Sequence, residues 1–194
     1  MSTPKVSIVI YTVYHHIYKL AVEAQHGLKA AGVQSTIYQV PETLPGNVLK
    51  AINAPPKPDV PIIQPHQITE ADGLLFGLPT RFGTAPSQIK ALLDGTGGLW
   101  AKNALAGKFA GQETTALTTI PYFVHHGINY VPLGFRSPHL NDNTEIVGGS
   151  PYGAGTITSP DGSRQPSKKE LEVARTQGEL FGNVVATYVR GRQH

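Results

Sequence analysis

Val6-Ser7-Ile8-Val9-Ile10-Tyr11 is apolar nearly throughout and rich in β-branched residues. A strand without a polar face is one covered on both sides, as in a parallel sheet. After it, Ile17, Leu20, Ala21, Ala24, Leu28 and Ala31 recur at helical spacing, and Gly32 supplies a helix stop. Ser35-Thr36-Ile37-Tyr38-Gln39-Val40 reads as a second strand. Strand, helix, strand within the first 40 residues is a βαβ unit.

Working outward, residues 41–67 hold Pro41, Pro45, Pro55, Pro56, Pro58, Pro61 and Pro65. This is a surface excursion with one short helix near 48–51, not a linker between domains. Gly73-Leu74-Leu75-Phe76-Gly77-Leu78 is a third buried strand, ended by Pro79. Ala85, Ile89, Leu92 and Leu93 predict a helix over 85–94, followed by a turn at Gly95-Thr96-Gly97-Gly98. A short fourth strand falls near Lys108-Phe109-Ala110-Gly111, then a helix over 114–126 and a strand over 127–133. Residues 134–166 read as a Gly/Ser/Pro-rich loop, and 168–189 as the closing helix. Ser167 and Glu170 stand at capping-box spacing before its apolar face of Val173, Leu180, Phe181, Val184, Val185 and Tyr188. Lys168, Lys169, Glu170, Glu172, Arg175 and Glu179 read as its solvated face. This alternation predicts a doubly wound α/β sheet in a single domain over 1–194. Ligands of such sheets bind beyond the carboxyl ends of the strands, here after residues 11, 78, 111 and 133.

Composition narrows the class. A chain of 194 residues is the size of one domain. With 40% hydrophobic and 15% charged residues, wholesale disorder is ruled out. The net charge of +3 is spread rather than clustered, so no nucleic-acid partner is expected. The chain has no cysteine, which excludes disulfides, thiolate metal sites and cysteine nucleophiles. No apolar run approaches ~18 residues, so no transmembrane helix is expected. The N-terminus has no signal-peptide core, and the expected location is cytoplasmic.

Two loops carry candidate chemistry. Thr12-Val13-Tyr14-His15-His16-Ile17 places a hydroxyl before the first turn of a helix, where free N–H groups and the positive dipole end suit a phosphate. Thr12 would add an O–H, and His15 or His16 a ring N–H; the plainer reading makes Thr12 the helix N-cap. Pro79-Thr80-Arg81-Phe82-Gly83 can bond the polar edge of a flat heterocycle while Arg81 or Phe82 covers a face, or it is an ordinary turn. His125-His126-Gly127 reads as one buried and one exposed histidine. The remaining histidines lack metal-ligand spacing, so no metal is expected. Trp100, the single tryptophan, is a packing anchor or an interface residue.

Read together, these segments resemble the WrbA family of flavodoxin-like, FMN-dependent NAD(P)H:quinone oxidoreductases, in particular its fungal members. The resemblance spans nearly the whole chain. It rests on Phe76-Gly77-Leu78-Pro79-Thr80-Arg81-Phe82-Gly83, Gly95-Thr96-Gly97-Gly98-Leu99-Trp100-Ala101, Gly148-Gly149-Ser150-Pro151-Tyr152-Gly153-Ala154-Gly155 and Asp161-Gly162-Ser163-Arg164-Gln165-Pro166-Ser167. It implies strand order 2-1-3-4-5, a homo-oligomer (dimer or tetramer), FMN as cofactor, NAD(P)H as co-substrate and a quinone or other flat aromatic as substrate. By motif, Thr12, Val13, Tyr14, His15, His16 and Ile17 would hold the FMN phosphate, with Tyr14 also near the nicotinamide. Pro79, Thr80, Arg81, Phe82 and Gly83 would grip the isoalloxazine. Trp100 would wall a neighbouring subunit's site, and His126 would cover the ring and the quinone.

The chain departs from the family pattern twice. His15 stands where the family has glycine. The family's Gly-rich loop after strand four has no counterpart, since Gly111 runs directly into Gln112-Glu113-Thr114-Thr115-Ala116-Leu117. A truncated central strand and a weakened or lost hold on FMN are therefore expected. The alternatives are a cofactor-independent acid/base catalyst acting on an aromatic through its histidines, and a non-enzymatic protein that keeps only the fold.

Overall fold

The computed structural model describes residues 3–112, 115–159 and 161–192. Strands β1 (Lys5–Ile10), β2 (Gln34–Gln39), β3 (Gly73–Gly77), β4 (Phe109–Gln112) and β5 (Asn129–Tyr130) form one sheet in the order β2-β1-β3-β4-β5. Every pairing in it is parallel. Helices α1 (His16–Ala30), α2 (Gly46–Ala51), α3 (Ser87–Asp94), α4 (Gly97–Trp100), α5 (Ala116–His125) and α6 (Lys168–Gly191) connect and flank the strands.

The apolar strands are covered on both faces, and side-chain alternation divides them. Val9, Leu74 and Phe76 join one core with Ile89, Leu92 and Phe123. Ile8, Ile10 and Leu75 join the opposite core with Ile17, Leu28, Phe181 and Val185. Phe123 and Phe181 are fully buried, one on each side. α1 and α6 share one face in direct backbone contact: a β-carbon on Gly178 would lie 2.0 Å from the Ala24 carbonyl oxygen. Only glycine permits that approach.

Four expectations are corrected. The strand over 127–133 pairs only at Asn129–Tyr130. Val131 N–H still donates to Ala110 O at 2.7 Å, but Pro132 has no N–H to continue the ladder. The turn after α3 is instead α4, because Leu99 and Trp100 N–H both donate to Thr96 O at 2.8 and 3.0 Å. The long loop holds a small antiparallel pair, β6 (Gly149–Ser150) with β7 (Gly153–Ala154), too short to leave a period in the sequence. Glu170, read as solvated, is fully buried. Its capping box with Ser167 does form. β4 has four residues, and the expected departure beyond it falls partly on 113 and 114, which lie outside the described residues.

Candidate functional site

The register pairs Ile10 with Gly77, and Tyr11 N–H donates to Gly77 O at 3.2 Å. The loops after β1 and β3 therefore leave the sheet side by side, as expected of a doubly wound fold. Gly77 lets α1 sit close above them: a β-carbon there would lie 2.7 Å from Ile17 Cγ2.

Between these loops lies a cavity of about 580 Å³. That is within the range of roughly 300–1,000 Å³ usual for small-molecule sites. Thr12, Val13, Tyr14, His16 and Ile17 line it from the first loop, and Leu78, Pro79, Thr80 and Arg81 from the second. A third wall comes from Thr156, Thr158, Ser159, Asp161 and Gly162. The sequence assigned that wall no role, although Asp161 and Gly162 stand in a stretch that carries the resemblance, because an irregular segment has no period that shows which side chains face inward.

α1 opens on the cavity. Its N-cap is His15 rather than Thr12, and no side chain caps it. Among the described residues no side chain accepts the first-turn N–H groups at the positive dipole end of this 15-residue helix, the arrangement that suits an anion. Thr12 is buried in the wall. The imidazoles are engaged elsewhere. His15 Nε2–H donates to Pro56 O at 2.7 Å, and His16 Nε2–H to Arg164 O at 2.9 Å. His15 does not line the cavity, and its φ of 67° is the left-handed conformation that favours glycine.

The proline-rich excursion braces this loop. Tyr14 OH donates to Ile52 O at 2.7 Å, and Lys57 Nζ to Thr12 O at 2.7 Å. Lys57 also pairs with Glu42 at 2.6 Å, and Glu42 accepts the Tyr11 hydroxyl at 3.1 Å. Burial and the adjacent Glu42 charge push the Tyr11 hydroxyl up to about 12. Burial raises the Glu42 carboxyl, but Lys57 and the Leu44 and Thr43 N–H groups more than reverse this, and it ends below its ordinary value. Glu42 is therefore ionised at neutral pH, and its pair with Lys57 is fastened to the backbone of the loop.

The second loop closes on itself. Arg81 N–H donates to Thr84 O at 2.8 Å, and Thr84 N–H to Arg81 O at 3.1 Å. Phe82 (φ 52°) and Gly83 (φ 79°) both take positive φ, so the turn is type I′. The Phe82 ring is fully exposed at its tip. Neither Phe82 nor Gly83 lines the cavity, although Pro79, Thr80 and Arg81 do.

Trp100 and His126 also lie outside that lining. The Trp100 ring is half exposed, its Nε1–H donating to His125 O at 3.0 Å. His126 is buried and His125 exposed. Thr96 Oγ1 spends its proton on Leu93 O at 2.6 Å, so the Tyr122 hydroxyl (2.9 Å) and His126 Nε2–H (3.2 Å) both donate to it. His126 Nδ1 is then a buried acceptor without a partner among the described residues. Burial, aided by His125, pulls its imidazole below the ordinary value.

Comparison with known proteins agrees with this geometry. The model of the NADPH-dependent FMN reductase family matches residues 15–122. The chain is 48% identical to the NAD(P)H quinone oxidoreductase PST2 of Candida albicans, covering 97% of this chain and 99% of that one. It is 50% identical to the quinone-oxidoreductase QR2 of Triphysaria versicolor, covering 93% of this chain and 94% of that one. A solved WrbA-like flavodoxin from Agrobacterium tumefaciens superposes with a TM-score of 0.58 at 19% identity, covering 100% of this chain and 99% of that one. The fold is flavodoxin-like. The chain belongs to the NADPH-dependent FMN reductase family, among its quinone oxidoreductase relatives.

Proposed function

We propose that this protein reduces quinones by two electrons with NAD(P)H, using FMN held in the cavity between 12–17 and 79–81. The observation that carries the reading is the uncapped N-terminus of α1 opening on a cavity whose opposite side is the Pro79–Arg81 loop. These residues fit a flavin nucleotide: an anion-binding helix end, hydroxyls of Thr12 and Thr80, and a guanidinium at Arg81. Bound FMN would supply the acceptance of hydride from NAD(P)H and its delivery to the quinone.

The protein's own contribution is position and charge. The Thr12–Ile17 turn binds the phosphate, braced by Ile52, Pro56 and Lys57. Pro79 to Gly83 orient the ring edge, with Arg81 offsetting negative charge there. Tyr14, half exposed at the cavity rim, takes the nicotinamide side.

Trp100 and His126 complete the site on assembly, as a homo-oligomer. Phe82, Trp100, Leu117 and Val124 are exposed apolar side chains that such contact would cover. Among the described residues no helix is long and apolar enough to cross a membrane. A cytoplasmic location and a single domain over 1–194 are part of the same reading.

The test is the visible flavin absorbance of the purified protein, an FMN titration, and NAD(P)H oxidation with a quinone acceptor. Bound flavin and quinone-dependent turnover are expected. A colourless protein indifferent to added FMN would sink the reading. The same titration measures the weakened affinity expected from the departure after β4.

A further inference from the structure

Thr156, Thr158, Ser159, Asp161 and Gly162, the third wall of the cavity, lie outside the helices and strands. What holds them is one carboxylate. Glu170, fully buried at the start of α6, accepts Gly148 N–H at 2.8 Å, the Thr156 hydroxyl at 2.8 Å, Ser167 N–H at 2.8 Å and Ile157 N–H at 3.4 Å. Arg164 Nη1 reaches both of its oxygens, at 3.1 and 3.0 Å. Capping α6 requires only the reciprocal Ser167–Glu170 pair. The bonds to Gly148, Thr156, Ile157 and Arg164 exceed that need, and a buried carboxylate is otherwise costly.

The hub also reaches the first loop. Arg164 Nη2 donates to Ile146 O at 2.9 Å, while its own carbonyl accepts His16 Nε2–H. His16 lines the cavity from the α1 side. Glu170 is thus linked through Arg164 to the phosphate turn, and through Thr156 and Ile157 to Thr158 and Ser159 on the facing wall. Asp161 lies in the same wall, with one carboxylate oxygen accepting Ser163 N–H and Oγ–H at 3.0 and 2.8 Å.

We propose that Glu170 and Arg164 are positioning residues that hold Thr158 and Ser159 across from the Thr12–Ile17 turn, closing the cavity on the phosphate of FMN. This rests on the FMN reading above. The experiment compares FMN with riboflavin, which carries the same ring without the phosphate, for the full chain and for Glu170→Gln and Arg164→Lys. Both variants are expected to weaken FMN about tenfold. Riboflavin should change less than about twofold. Equal losses for both ligands would mark a general structural role and overturn the proposal, as would unchanged FMN affinity. If Glu170→Gln fails to fold, Arg164→Lys, which keeps the charge and loses the planar fork, decides alone. Absence of FMN binding by the unaltered protein would overturn the cofactor reading itself, a result distinct from both.

Discussion

His15 Nε2 lies 2.7 Å from the carbonyl oxygen of Pro56, and this tether holds a non-glycine residue at φ 67° at the start of α1. The left-handed conformation costs about 1–2 kcal/mol for a residue with a β-carbon, and the hydrogen bond returns about 1 kcal/mol. His15→Ala keeps the strain and loses the tether, so it should destabilise by about 1 kcal/mol and weaken FMN. His15→Gly removes both and should leave stability near that of the unaltered protein. Urea denaturation and FMN titration read the two effects. Equal behaviour of the alanine and glycine variants would contradict the account.

Phe82 occupies a type I′ position with its ring in solvent, which is poor chemistry for an isolated turn. Asn-Gly is the favoured pair for this geometry, so Phe82→Asn should gain about 0.5–1 kcal/mol of stability. The same change should lower quinone turnover, because the proposed assembly covers that ring. A variant both more stable and fully active would show that Phe82 has no part in the site.

Asp161 lines the cavity that is proposed to take a phosphate. Hydrogen bonds from Ser163 N–H and Oγ–H hold its carboxyl below the ordinary value, so it is ionised at neutral pH. Asp161→Asn removes one like charge and should tighten FMN while leaving riboflavin unchanged. The gain should shrink as salt is raised through the physiological range. Titrations at two ionic strengths check it, and an equal gain for riboflavin would refute it.

His126 provides a pH signature. Burial holds its imidazole below the ordinary 6.5, so the unfolded chain binds more protons than the folded one as pH falls through that value. Stability contributed by this residue is present above pH 6.5 and is lost on acidification. Tm measured from pH 8 to 5 should fall less for His126→Gln than for the unaltered protein. The difference between the two profiles isolates the contribution of His126. A larger fall for the variant would reverse the assignment.

Much of the architecture was legible because periodicity is local. Val6 to Tyr11 and Gly73 to Leu78 announce buried strands by lacking a polar face, and α1 and α6 show their stripes over many turns. β5, β6 and β7 were lost or overdrawn because two-residue strands have no period to read. The first and second loops were visible as motifs, and both meet at one cavity. The purpose of particular side chains was not visible. Glu170 sits among charged neighbours on a helix and reads as solvated, yet five residues converge on its carboxylate.

What the chain alone determined is the alternation of strands and helices and the two loops at one end of the sheet, since spacing along the backbone records which faces are apolar. The folded molecule decided the rest. It set the third wall of Thr156, Thr158, Ser159, Asp161 and Gly162, the His16–Arg164 bridge and the Lys57 brace on Thr12. Each of these joins polar groups far apart in sequence, and a donor's partner is chosen by what burial brings within hydrogen-bond reach, which no local pattern encodes.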